Sequence, residues 1–75
     1  MMAKLPVDLS GRQVRTALER AGFVFRRQRG SHMVLRRDDP PARVVVPDHR
    51  CIRRGTLRGI LHDAGLPVEE FLALL

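Results

Sequence analysis

The chain has 75 residues, one cysteine, 44% hydrophobic residues and a formal net charge of +6. That length holds a single domain, expected over residues 1–75, and that hydrophobic content excludes a disordered tail. The lone Cys51 excludes an internal disulfide and a cysteine-rich metal site, and no apolar run reaches the roughly 20 residues of a membrane span. No signal-peptide pattern opens the chain, so a cytoplasmic protein without membrane attachment is expected.

In chain order, the first element is a helix. Ser10-Gly-Arg-Gln13 has the form of a capping box, in which side chains satisfy N–H groups the helix leaves orphaned. Val14, Ala17, Leu18 and Ala21 then recur on one helical face, and Gly22 is placed to end it. Phe23–Gln28 reads as a strand, Arg29-Gly30-Ser31 as a turn, and His32–Arg37 as a second strand. Asp38-Asp-Pro-Pro41 is a turn, and Ala42–Pro47 a third strand. Two short turns between three short strands predict an antiparallel meander. Asp48–Arg54 is a charged loop. Leu57, Ile60, Leu61 and Ala64 mark a second helix from about Gly55, closed by Gly65, with Thr56 capping or starting it. Pro67 opens a short last helix, with Glu69 and Glu70 near its positive end and Val68, Phe71, Leu72 and Leu75 as its apolar face. The order α-β-β-β-α-α predicts an α+β fold: helices on one sheet face, the other left to solvent or a ligand.

Gly30-Ser31-His32-Met33 matches the scar left when a purification tag is cleaved. The capping box and amphipathic helix before it make the stretch part of the native fold, so that only Met1 or Met2 looks like an added residue.

Charge is concentrated beside that stretch. Between Arg26 and Arg58, ten arginines face Asp38, Asp39 and Asp48, leaving +7 in 33 residues. Guanidinium groups grip phosphates bidentately, so this field predicts contact with nucleic acid. An arginine-biased solvated surface is the plainer alternative. No Ser nucleophile elbow, Gly-rich phosphate loop or clustered carboxylates are present, which removes most enzyme classes, and no histidine pair has close metal-ligand spacing. No cofactor or metal is expected. His62 reads as a surface residue beside an apolar stripe. His49 is open between phosphate contact, loop orientation and no role. His32 opens a strand after a turn, amid Arg26, Arg27, Arg29, Arg36 and Arg37. Histidine takes and gives a proton near neutral pH, which is what breaking RNA through its 2′-hydroxyl requires. A structural strand histidine is the commoner outcome for such a residue considered alone.

Four segments together resemble the HicA (YcfA-like) family of toxin mRNA interferases: ALERAGF (Ala17–Phe23), R-x-x-GSH (Arg27–His32), VVVPDH (Val44–His49) and RRGTLRGIL (Arg53–Leu61) followed by AGL. The resemblance runs from about Ser10 to Phe71. It implies the double-stranded-RNA-binding-domain type of fold and cleavage of messenger RNA with His32 as the catalytic residue. It also implies a HicB-like antitoxin that covers the active site. Arg26, Arg27, Arg29, Gly30, Ser31, Arg36, His49, Arg53 and Arg54 are the expected RNA contacts. Gly30 is most simply a turn residue, whose missing side chain also lets an RNA backbone approach. Ser31 is open between bonding across the turn and holding His32 or a phosphate. Arg50-Cys51-Ile52 departs from the family's Gly-Lys-type loop, which leaves that loop's role open. A module that grips double-stranded RNA without cutting it is the alternative function.

Overall fold

The computed structural model describes residues 4–75, and the expected addition at Met1 or Met2 lies outside them. Its elements are α1 (Gly11–Arg20), β1 (Val24–Arg29), β2 (His32–Asp38), β3 (Pro41–Pro47), α2 (Arg54–Ala64) and α3 (Val68–Ala73). The strands form one antiparallel sheet in the order β1-β2-β3.

The capping box forms as its residue types require. Ser10 Oγ accepts from the Gln13 amide at 3.1 Å, and Gln13 Oε1 accepts from the Ser10 amide at 2.8 Å. Such a cap is worth about 1 kcal/mol. α1 then presents Val14, Ala17 and Leu18 to the core. Phe23 is not a strand residue: its N–H donates to Leu18 O at 3.0 Å, and its ring is buried. Finishing the helix end takes precedence there over its strand propensity.

Pairing registers divide the sheet's side chains between two faces, because side chains alternate along each strand. Met33 and Leu35 of β2 pair with Val46 and Val44 of β3, and all four are essentially fully buried against the helices. Val14, Leu18, Leu57, Leu61 and Phe71 complete that layer. Fully burying each such side chain contributes about 1.5–3 kcal/mol of gross stabilisation.

α2 begins without a side-chain cap. Arg53 occupies the N-cap position and Thr56 lies inside the first turn, so Thr56 starts the helix but does not cap it. In α3, Phe71 is buried, while Leu75 is exposed and Leu74 packs against the core in its place. A six-residue helix has too few turns to carry the stripe through to Leu75.

Gly11 is required by a close approach. It is buried at the start of α1, where a Cβ would overlap the carbonyl oxygen of Pro47, and its N–H donates to His49 O at 2.8 Å. The first turn of α1 thus rests backbone to backbone on the end of β3, and this contact shapes the site below.

Candidate active site

The β1–β2 hairpin closes through the two residues Gly30 and Ser31, with Arg29 and His32 as the last cross-strand pair. Gly30 has φ +58 at the first turn position, where a II′ turn needs a positive φ. Nothing lies within 4 Å of where its Cβ would sit, so the turn is open to solvent.

His32 is exposed and shares a face with Val34 and Arg36, its neighbours at period two along β2. Its cross-strand partners are Arg29 on β1 and Pro47 on β3. Moving along β2, Val34 pairs with Arg27 and Val45, and Arg36 pairs with Val24 and Arg43. The face without helices therefore carries His32 at one end and arginines from all three strands beyond it.

Strict alternation from Phe25, which faces the helices, would send Arg27 inward. The register shifts between Phe25 and Arg27, a β-bulge that inserts Arg26 as an unpaired residue. As a result Arg26 and Arg27 both line the open side, with Val34, Arg36 and Arg43.

The turn is held by Asp48. The Asp48 amide donates to Ser31 O at 2.6 Å. Gln28 Nε2 donates to Gly30 O at 3.0 Å and to Asp48 Oδ2 at 3.1 Å. Arg12, from α1, donates through Nε and Nη2 to the two Asp48 oxygens at 3.3 and 3.4 Å. The Arg12 guanidinium, and after it the Gln28 amide, hold the Asp48 carboxyl below the usual carboxylate range. A hairpin turn, the loop after β3 and the start of α1 are thus tied at one carboxylate. His49 follows directly, and Pro47, His49, Cys51, Ile52, Arg53 and Thr56 line one groove.

Of the expected site residues, His32, Arg29, Gly30 and Ser31 meet at the hairpin end, and Arg26, Arg27 and Arg36 share the open face. His49 and Arg53 stand together in the adjoining groove. Arg54 does not line that groove. Its Nε donates to Leu5 O at 3.2 Å, tying the N-terminal segment to α2. Arg37 also leaves the basic field: it donates to Pro40 O and Ala64 O and lies over the Phe23 ring, 4.6 Å from its centroid. Phe23 and Phe71 are buried, and Arg15 covers Phe25 at 3.9 Å, so none of the three aromatics is free to stack a base. His62 is exposed beside Asp63, as a surface residue should be.

Arg43, Gln28, Arg12 and Asp48 were not legible as site residues. Arg43 has one signal, its alternation with the buried Val44. Arg12 lies 36 residues from Asp48 and carries no local signal of that pairing. Among the described residues, no three His, Cys, Asp or Glu side chains converge as metal ligands would.

A family model described as HicA toxin of bacterial toxin-antitoxin matches residues 11–66, from the first residue of α1 to the one after Gly65. No curated protein matches the chain.

Proposed function

The chain belongs to the HicA toxin family of bacterial toxin–antitoxin systems, and on that premise we propose that it is an endoribonuclease cleaving messenger RNA with His32 as acid and base. Membership carries a toxin role and an antitoxin partner. The observation that supports catalysis is the exposed His32, paired with Arg29 at the rim of an arginine-rich sheet face and set on a braced turn.

In this reading the neutral imidazole of His32 removes the 2′-hydroxyl proton of the bound nucleotide. The freed oxygen attacks the adjacent phosphorus, and the 5′-oxygen of the next nucleotide leaves. The proton held by His32 then passes to that leaving oxygen, giving a 2′,3′-cyclic phosphate and a 5′-hydroxyl. Arg29 stabilises charge growing on the phosphate, as a preorganised cation in a transition state does. The Gly30-Ser31 turn leaves room for the RNA backbone, and His49 and Arg53 hold the strand in the adjoining groove. A HicB-like antitoxin silences the toxin by covering His32, and both act in the cytoplasm, where messenger RNA is found. No metal takes part in the proton transfers.

Incubating RNA with the protein in EDTA, beside a His32→Ala variant, tests the reading. The wild type is expected to cut RNA and leave DNA intact, with cyclic phosphate ends. Equal cutting by both proteins would overturn it. RNA bound but uncut by the wild type favours the double-stranded-RNA-binding module.

A further inference from the structure

Val34 lies on the open face, outside the core cluster, yet is only 7% exposed. Arg26, Arg27, Arg36 and Arg43 surround it and line one depression of about 280 Å³. Aliphatic stems of arginine cover apolar surface in this way while their heads stay in water. Among the described residues, none of these four guanidinium groups enters an ion pair or a side-chain hydrogen bond. Four like charges around one apolar floor repel one another, and a bound polyanion relieves that repulsion.

We infer that this cup is a phosphate subsite, taking the backbone phosphate of a nucleotide next to the one cleaved at His32. The inference rests on the ribonuclease reading of His32 and adds to it a minimum substrate: RNA with a phosphate beyond the scissile one. Val34 is two residues from His32 on the same strand face, about 7 Å along β2. That step is comparable to the spacing of successive phosphates on an extended RNA strand. The guanidinium groups approach from β1, β2 and β3, so they surround an anion from several directions, which suits a tetrahedral phosphate better than a planar carboxylate. The three aromatics are buried or covered, so the cup grips backbone and reads no base. Its continuity with His32 favours a single RNA strand over an acidic protein segment as occupant.

Two arms test the subsite separately from catalysis. In the first, wild type cuts a dinucleoside monophosphate and the same molecule bearing a second phosphate at its 5′ or its 3′ end. The second phosphate at one of those ends is expected to raise kcat/KM about tenfold, the worth of a charged hydrogen-bonded contact. In Arg43→Gln that ratio should fall toward one; a ratio of one in the wild type overturns the subsite. The second arm uses the His32→Ala protein, which needs no cleavage. Its affinity for a short single-stranded RNA should drop about tenfold on adding Arg43→Gln. The slope of log affinity against log salt should fall by about 0.7, one phosphate contact on a single strand. Unchanged RNA affinity and slope, with weakened binding of the antitoxin, assigns the cup to an acidic protein partner and overturns the proposal. Equal cutting of RNA in EDTA by wild type and His32→Ala removes the His32 reading but leaves the effect of Arg43→Gln on RNA affinity and salt slope to judge the cup.

Discussion

The two faces of the sheet are built from the same three strands and differ in nearly everything else. The face toward the helices carries Met33, Leu35, Val44 and Val46, each essentially fully buried. The open face carries His32, Arg27, Arg29, Arg36 and Arg43, with Val34 set among arginines and beside Val45. One backbone thus separates a packed apolar face from an exposed basic one by residue parity. Substitutions on one face should register in unfolding, and those on the other in RNA handling.

The largest expected contrast sets Leu35→Ala against His32→Ala. Leu35→Ala removes a fully buried side chain and should cost about 2–5 kcal/mol in denaturant unfolding. His32→Ala should shift stability by less than about 0.5 kcal/mol, while cutting of RNA falls by roughly 10²–10⁴-fold, the worth of a general acid–base group. A strongly destabilised His32→Ala would break the division between the faces.

Gly11→Ala probes the contact that brings α1 to the site. A Cβ there would overlap Pro47 O, so the helix start has to move off β3. Overpacking of this kind costs about 1–3 kcal/mol. The displaced helix should also loosen the Arg12–Asp48 pair, read as shifted amide signals at Ser31 and Asp48 in NMR spectra.

Two valines compare the faces most directly. Val46→Thr buries a hydroxyl against the helices and should cost about 1–3 kcal/mol. Val34→Thr places it among guanidinium groups near water and should change stability by less than about 0.5 kcal/mol. Equal losses in thermal unfolding would show that Val34 belongs to the core.

The smallest effect is a pH response at Asp48. Its carboxyl is held below the usual range in the folded chain, so the bonds from Arg12 and Gln28 contribute fully above the unfolded carboxylate pKa. Their contribution is lost as pH falls through the lower, folded value. In an acid titration the Ser31 and Gln28 signals should therefore move only at strongly acidic pH, and Asp48→Asn should abolish that step.

The helices and strands were legible because their patterns are local. The capping box spans four residues, and the apolar stripe of α1 and the alternation Met33/Leu35 follow from the periods of helix and strand. His32 was legible for a similar reason: a histidine directly after a Gly-Ser turn starts its strand at a predictable place. The direction of individual arginines was not. Arg27 faces outward because of the bulge at Arg26, and Arg37, in step with Met33 and Leu35 along β2, is held by the Ala64 carbonyl at the end of α2, a partner 27 residues away. Arg54 sits in the expected stretch yet bonds Leu5 O across the fold.

Composition and short-range pattern therefore determined the order of elements, the apolar core, the excess of arginine and the place of His32 at the start of β2. Tertiary structure alone decided which arginines share a face, and that Asp48 ties Ser31, Gln28 and Arg12 together. The physical reason is the range of the interactions. Caps and periodic stripes depend on residues three or four apart, whereas a bulge register, a backbone contact at Gly11 and a carboxylate shared across 36 residues exist only once strands and helix have packed.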